Sequence, residues 1–181
     1  MRTHRSIVAA GSFVTVLLVT SPAESQQPPA QQPPPASCST PEHRQFDFWL
    51  GEWDVQSANG QQLGTNNITS ILKGCVLQES WKGQRGMSGT SFNKYDPRDR
   101  KWHQVWVDDA GGFLHLSGEV KDGKMMMTGE TPTMSGGKTL HRLSFERVNG
   151  DPNRVRQFWQ ISNDGGQTWQ VSFDGIYVRR G

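Results

Sequence analysis

Short alternating stretches, each closed by turn-forming residues about every dozen positions, constrain this chain more than any other feature. Candidate strands run over residues 52–57, 65–72, 75–82, 88–95, 101–108, 113–120, 124–130, 139–148, 154–162 and 168–179. Between them stand Asn59-Gly60, Lys73-Gly74, Asp96-Pro97-Arg98-Asp99, Gly111-Gly112, Asp122-Gly123, Gly136-Gly137, Asn149-Gly150-Asp151-Pro152 and Asp164-Gly165-Gly166. These pairs and clusters supply the left-handed and tight-turn conformations that hairpins need. Such a meander has to pair or cover its edges, so the expected fold is all-β: an antiparallel meander barrel of about ten strands. One helix is expected. Thr40 as N-cap, Pro41 at the first helical position and Gly51 just past the end frame a short segment over 41–50 that plugs one end of the barrel.

The residues before this domain read differently. Arg2 and Arg5 precede an apolar run from Ile7 to Val19, and Ala23-Glu24-Ser25 makes a small-x-small site before Gln26. That is the pattern of a secretory signal over 1–25, too short in its apolar part for the roughly 20 residues of a membrane span. Residues 26–40 form a Gln/Pro-rich linker, and 41–181 form the barrel domain. The expected location is secreted or periplasmic. With Arg2, Arg5 and Glu24 removed, 17 basic side chains face 16 acidic ones, from 19 and 17 in the full chain. That balance offers no basic stripe for a nucleic acid, and no later apolar run suits integral membrane contact. The two cysteines, Cys38 and Cys75, are expected to form one disulfide in an oxidising compartment.

Alternation sorts side chains onto two faces. One set contains Leu77, Glu79, Trp81; Trp102, Gln104, Trp106; Arg142, Ser144, Glu146; Val155, Gln157, Trp159, Ile161; and Trp169, Val171, Phe173. If it faces inward, the lumen mixes rings with polar groups, whereas a plain core uses branched aliphatics, because unpartnered buried polar groups cost about 1–3 kcal/mol each. Glu79, Trp81, Trp102, Gln104, Trp106, Arg142, Glu146, Gln157 and Trp159 are therefore the candidate ligand-binding residues. Packing of these polar groups against one another is the alternative. For the strand holding His141, Leu143 and Phe145, the opposite facing stays open.

Ser162-Asn163-Asp164-Gly165-Gly166-Gln167-Thr168-Trp169 meets every fixed position of the Asp-box pattern. A single copy implies a rigid hairpin, with Asp164 accepting amide hydrogens, Gly166 in the turn, and Thr168 and Trp169 bracing it. His43, His103, His115 and His141 show no metal-ligand spacing, so no metal is expected. No cofactor is expected either; a haem held by His103, His115 or His141 is the remaining alternative. The catalytic residues are unassigned.

The segments Phe46 to Val55, Gly74-Cys75-Val76-Leu77-Gln78-Glu79, Trp102 to Asp108 and Phe173 to Arg180 resemble a family of small secreted bacterial proteins of unknown function. That family is similar to the calycins, lipocalin-like barrels in which a Gly-x-Trp on the first strand sits against a basic residue from the last. The resemblance implies closure by Gly51, Trp53 and either Arg179 or Arg180, a cation over a ring. The leading expectation is an exported barrel that binds a small hydrophobic or amphipathic molecule in a Trp-lined lumen. An acid/base enzyme acting on such a ligand and a ligand-free interaction module are the alternatives.

Overall fold

The predicted turns and alternation become ten antiparallel strands in a computed structural model that describes residues 38–181. The strands are β1 (Gly51–Gln56), β2 (Gln62–Ile71), β3 (Val76–Gly83), β4 (Ser88–Asp96), β5 (Lys101–Asp108), β6 (Phe113–Lys121), β7 (Lys124–Pro132), β8 (Lys138–Arg147), β9 (Arg154–Ser162) and β10 (Gln170–Arg179). Each pairs with its neighbour in sequence, and β1 pairs with β10, with Trp53 opposite Arg179. The sheet thus closes on itself and leaves no unpaired edge. The signal at 1–25 and the linker up to residue 37 lie outside the described residues. Among the described residues, no helix is long and apolar enough to cross a membrane.

The helical segment before β1 is present as two 3-10 turns, Pro41–Arg44 and Asp47–Trp49. So short a segment gains little from regular α-helix and instead bends where its aromatic residues enter the barrel. Phe46 and Trp49 are fully buried and stack at 5.0 Å, with Phe145 4.8 Å from Trp49 and Trp102 5.7 Å from Phe46. Rings of this size each contribute a few kcal/mol at about 25 cal/mol per Å² buried, and together they seal this end. The Cys38–Cys75 disulfide forms, with Cα atoms 5.1 Å apart. Arg44 Nη2 donates to the carbonyls of Cys38 and Gly74, holding the plug to the turn before β3.

Closure of the sheet explains the Gly-x-Trp triplet. The Arg179 guanidinium lies 4.2 Å over the Trp53 ring, and its Nη1 donates to Leu50 O at 3.0 Å. Gly51 has φ 131°, and a Cβ there would lie 2.1 Å from Arg179 Nη1. Only glycine admits both the backbone and the guanidinium. Arg180, the other candidate, points outward and pairs with Asp54 at 2.6 Å.

Alternation holds for β3, β5 and β9, but two expectations are corrected. On β8 the inward residues are His141, Leu143 and Phe145, so Arg142 and Glu146 stand outside, Glu146 paired with Lys124 at 2.7 Å. On β10 a bulge between Val171 and Phe173 shifts the phase by one residue, so Phe173 faces in while Val171 is exposed. Trp169 follows Val171 outward. Arg142 and Trp169, both expected inside, meet on the outer surface with the guanidinium 4.0 Å over the ring.

Candidate functional site

The end opposite the plug is not filled. A cavity of about 100 Å³ is lined by Glu79, Trp81, Met87, Gln104, Trp106, Leu114, Leu143, Gln157, Trp159, Phe173 and Tyr177. Its walls are aromatic and its floor is polar. The tryptophans divide by level: Trp49, Trp53 and Trp102 belong to the closed end, Trp81, Trp106 and Trp159 to the cavity, and Trp169 to the outer hairpin. Trp102 therefore packs in the core between Phe46 and Tyr95, and does not line the cavity.

Space for the cavity comes from glycines on the inward face. Gly89 stands across from Asp108 on β5, and a Cβ on it would lie 2.3 Å from Trp106 Cζ2. The same holds for Gly64, 2.7 Å from Trp81 Cη2, and Gly175, 2.5 Å from Phe173 Cε1. Each ring lies along the wall over a neighbouring glycine and does not project across the lumen, in the manner of rings that cover glycines in other sheets. Asp108 fixes Trp106 further by accepting its Nε1–H at 3.0 Å.

The floor is one hydrogen-bonded chain across six strands. Asn93 Nδ2 donates to Leu77 O at 3.3 Å and to Ser91 Oγ at 2.9 Å, so its Oδ1 is left to accept from Gln104 Nε2 at 2.8 Å. Ser91 Oγ donates to Glu79 Oε2 at 2.6 Å, and Asn66 Nδ2 donates to Glu79 Oε1 at 2.7 Å. Asn66 Nδ2 also reaches the Tyr177 hydroxyl at 3.3 Å, which donates to Gln157 Oε1 at 2.5 Å. These bonds leave Gln104 Oε1 and the Gln157 amide hydrogens open to a ligand, beside the Glu79 carboxyl group.

Glu79 is 5% exposed and belongs to none of the ion pairs among the described residues. Burial pushes its carboxyl above the usual carboxylate range, against the lowering by Ser91 and Asn66. Tyr177 is held well above an ordinary phenol, first by burial and then by the charge of Glu79. On the cavity rim, Trp159 Nε1 donates to His141 Nδ1 at 3.2 Å, and His141 Nε2 lies 2.8 Å from Thr131 Oγ1. An indole only donates, so His141 sits there as the neutral tautomer, and burial lowers its basicity accordingly.

Of the three histidines considered for a haem, neither His103 nor His115 reaches the lumen. His103 and His115 stack on the outer face, with His103 Nε2 3.0 Å from Asp99 Oδ2. His141 has both nitrogens engaged beside a cavity of about 100 Å³, so this donor set does not fit a haem. Among the described residues, no group of three or more His, Cys, Asp or Glu is placed to hold a metal ion.

Of the expected site residues, Glu79, Trp81, Gln104, Trp106, Gln157 and Trp159 converge on the cavity, while Trp102, Arg142 and Glu146 do not. Tyr177, Phe173, Leu143, Leu114 and Met87 complete it. Of these, Phe173 belongs to the inward alternation set, and Leu143 lies on the face of β8 that alternation leaves open. The Asp-box hairpin forms as its pattern requires, with Asp164 Oδ1 accepting from Thr168 N at 2.9 Å and Trp169 Nε1 donating to Gly166 O at 3.1 Å.

The fold and site define a closed ten-stranded antiparallel barrel, plugged at one end and hollow toward the other. No protein-family model matches the chain, and no curated protein matches it.

Proposed function

We propose that this chain is an exported, lipocalin-like barrel that binds a small organic molecule in its lumen. Removal of residues 1–25 would deliver it to the periplasm or the outside of the cell, and the Cys38–Cys75 disulfide suits such a compartment. One observation carries the reading: Trp81, Trp106 and Phe173 lie over inward glycines and leave a lined cavity where a structural core would be filled. A side-chain-filled lumen would have favoured an interaction module, and this lumen is not filled.

Size and lining describe the ligand. A cavity of roughly 150 Å³ holds a benzene ring. At about 100 Å³, this one takes a short branched group or the edge of a single ring, with any larger part of the ligand at the mouth beside Met87. Apolar contact comes from Trp81, Trp106, Trp159, Phe173, Leu114 and Leu143, and orientation comes from Glu79, Gln104 and Gln157. Thermal shift and tryptophan fluorescence across a panel of small metabolites test it. Binding should appear for some members and weaken about tenfold or more in Trp106→Ala, which removes one wall. A panel without effect, or binding that Trp106→Ala leaves unchanged, contradicts the proposal.

A further inference from the structure

The cavity holds a carboxyl group with no charge to match it. Glu79 is the sole carboxyl among the lining residues, and none of them is lysine, arginine or histidine. Both its oxygens accept from neutral groups, Ser91 Oγ at 2.6 Å and Asn66 Nδ2 at 2.7 Å. The polarity of this chain is set from outside it: the Leu77 carbonyl fixes the Asn93 amide, Asn93 donates to Ser91, and the Ser91 hydrogen is thereby directed to Glu79. Both oxygens thus face donors, the arrangement an ionised carboxylate accepts. Yet a buried carboxylate without a cation is costly, because neutral hydrogen bonds do not replace its lost hydration.

Two further features bear on what resolves that conflict. The Asn66 Oδ1 atom is buried without a hydrogen-bond partner, and Gln104 presents its Oε1 after committing Nε2 to Asn93. Acceptors thus cluster around the floor. Above them stand the rings of Trp81, Trp106, Trp159 and Phe173. The negative faces of such rings attract a cation, most strongly where water is displaced.

We infer that the end of the ligand entering this lumen is an organic ammonium group, countering Glu79 beneath and held by the tryptophan faces around it. This rests on the ligand-binding reading of the same cavity. A primary ammonium would donate toward Glu79 and Gln104 Oε1; a small quaternary one would rely on charge and ring contact alone. The competing arrangement is a protonated Glu79 with the Asn66 amide turned over, which would make the site one for neutral molecules.

Matched probe pairs decide between them. The purified protein is titrated with benzylammonium against benzyl alcohol and with tetramethylammonium against tert-butanol, read by tryptophan fluorescence and calorimetry at neutral pH. The ammonium member of a pair should bind at least about tenfold tighter, and Glu79→Gln should abolish that preference. If the alcohols bind as tightly as the ammonium ions, the ammonium assignment is overturned while the ligand-binding reading stands. A preference that persists in Glu79→Gln overturns it equally. If neither member of either pair binds, the ammonium assignment fails; ligand binding itself is then judged by the wider panel and Trp106→Ala. The comparison on the unaltered protein stands even if Glu79→Gln does not fold.

Discussion

Asn66 donates to Glu79 Oε1 at 2.7 Å, so the carboxyl group of the cavity is held by neutral partners alone. Burial raises its proton affinity above the ordinary value of 4.5. The folded state then keeps this proton at pH values where the unfolded chain has lost it. The stability contributed by the protonated group is fully present below the unfolded pKa and is lost as pH rises through the raised, folded one. Urea unfolding of the ligand-free protein at stepped pH should show that decline, and Glu79→Gln should flatten it. A pH dependence unchanged in Glu79→Gln would place the titration elsewhere.

Gly89 is the position at which a single methyl group should close the site. Its Cβ would lie 2.3 Å from Trp106 Cζ2, against a ring already tied to Asp108. Gly89→Ala should cost about 1–3 kcal/mol of stability by overpacking and push the indole into the lumen. Loss of ligand binding with the barrel's circular dichroism retained is the expected result; retained binding would show that the ring has another place to go.

Closure depends on Arg179 far more than on Arg180. Arg179 covers Trp53 at 4.2 Å and donates to Leu50 O, whereas Arg180 makes an exposed pair with Asp54. Arg179→Ala should destabilise the fold by about 1–2 kcal/mol, the scale of a part-buried cation–ring contact. Arg180→Ala should leave the urea midpoint close to that of the parent, since exposed ion pairs add little. Equal midpoints for the two variants would contradict this assignment.

Acid should loosen one wall of the cavity. His141 accepts the Trp159 indole hydrogen while neutral, and burial lowers its pKa from 6.5. Stability from this arrangement is present above the ordinary histidine value and is lost as pH falls through the lowered one. Tryptophan emission should shift over that acid range, and His141→Asn, which keeps an acceptor but does not titrate, should remove the shift. A persistent shift would point to another group.

The fold was legible because turns and alternation are local properties. Lys101–Asp108 and Arg154–Ser162 have the bounds that alternation predicts, and the cysteine pairing followed from compartment and number. What the chain does not display locally is phase across a bulge. One extra residue at Ser172 sends Trp169 and Val171 outward, against the alternation that set them inside with Phe173, while Phe173 and Tyr177 face in. On β8 both faces carry large side chains, so alternation alone did not choose between Arg142 and His141; the plug did, because Phe46 and Trp49 need Phe145 beneath them. The cavity was hidden for a related reason. It depends on which glycine stands beside which ring, a matter of cross-strand register.

The three groups of indoles provide the most direct test of the lumen as a ligand site. Nitrogen-15 spectra resolve each Trp Nε1–H, and a titration with ligands found in the panel reports on each ring separately. The signals of Trp81, Trp106 and Trp159 should move together with one saturation curve, while those of Trp53 and Trp169 stay in place. Shifts confined to Trp169 and the outer hairpin, or no shift in the cavity set at saturating ligand, would contradict a binding site inside the barrel.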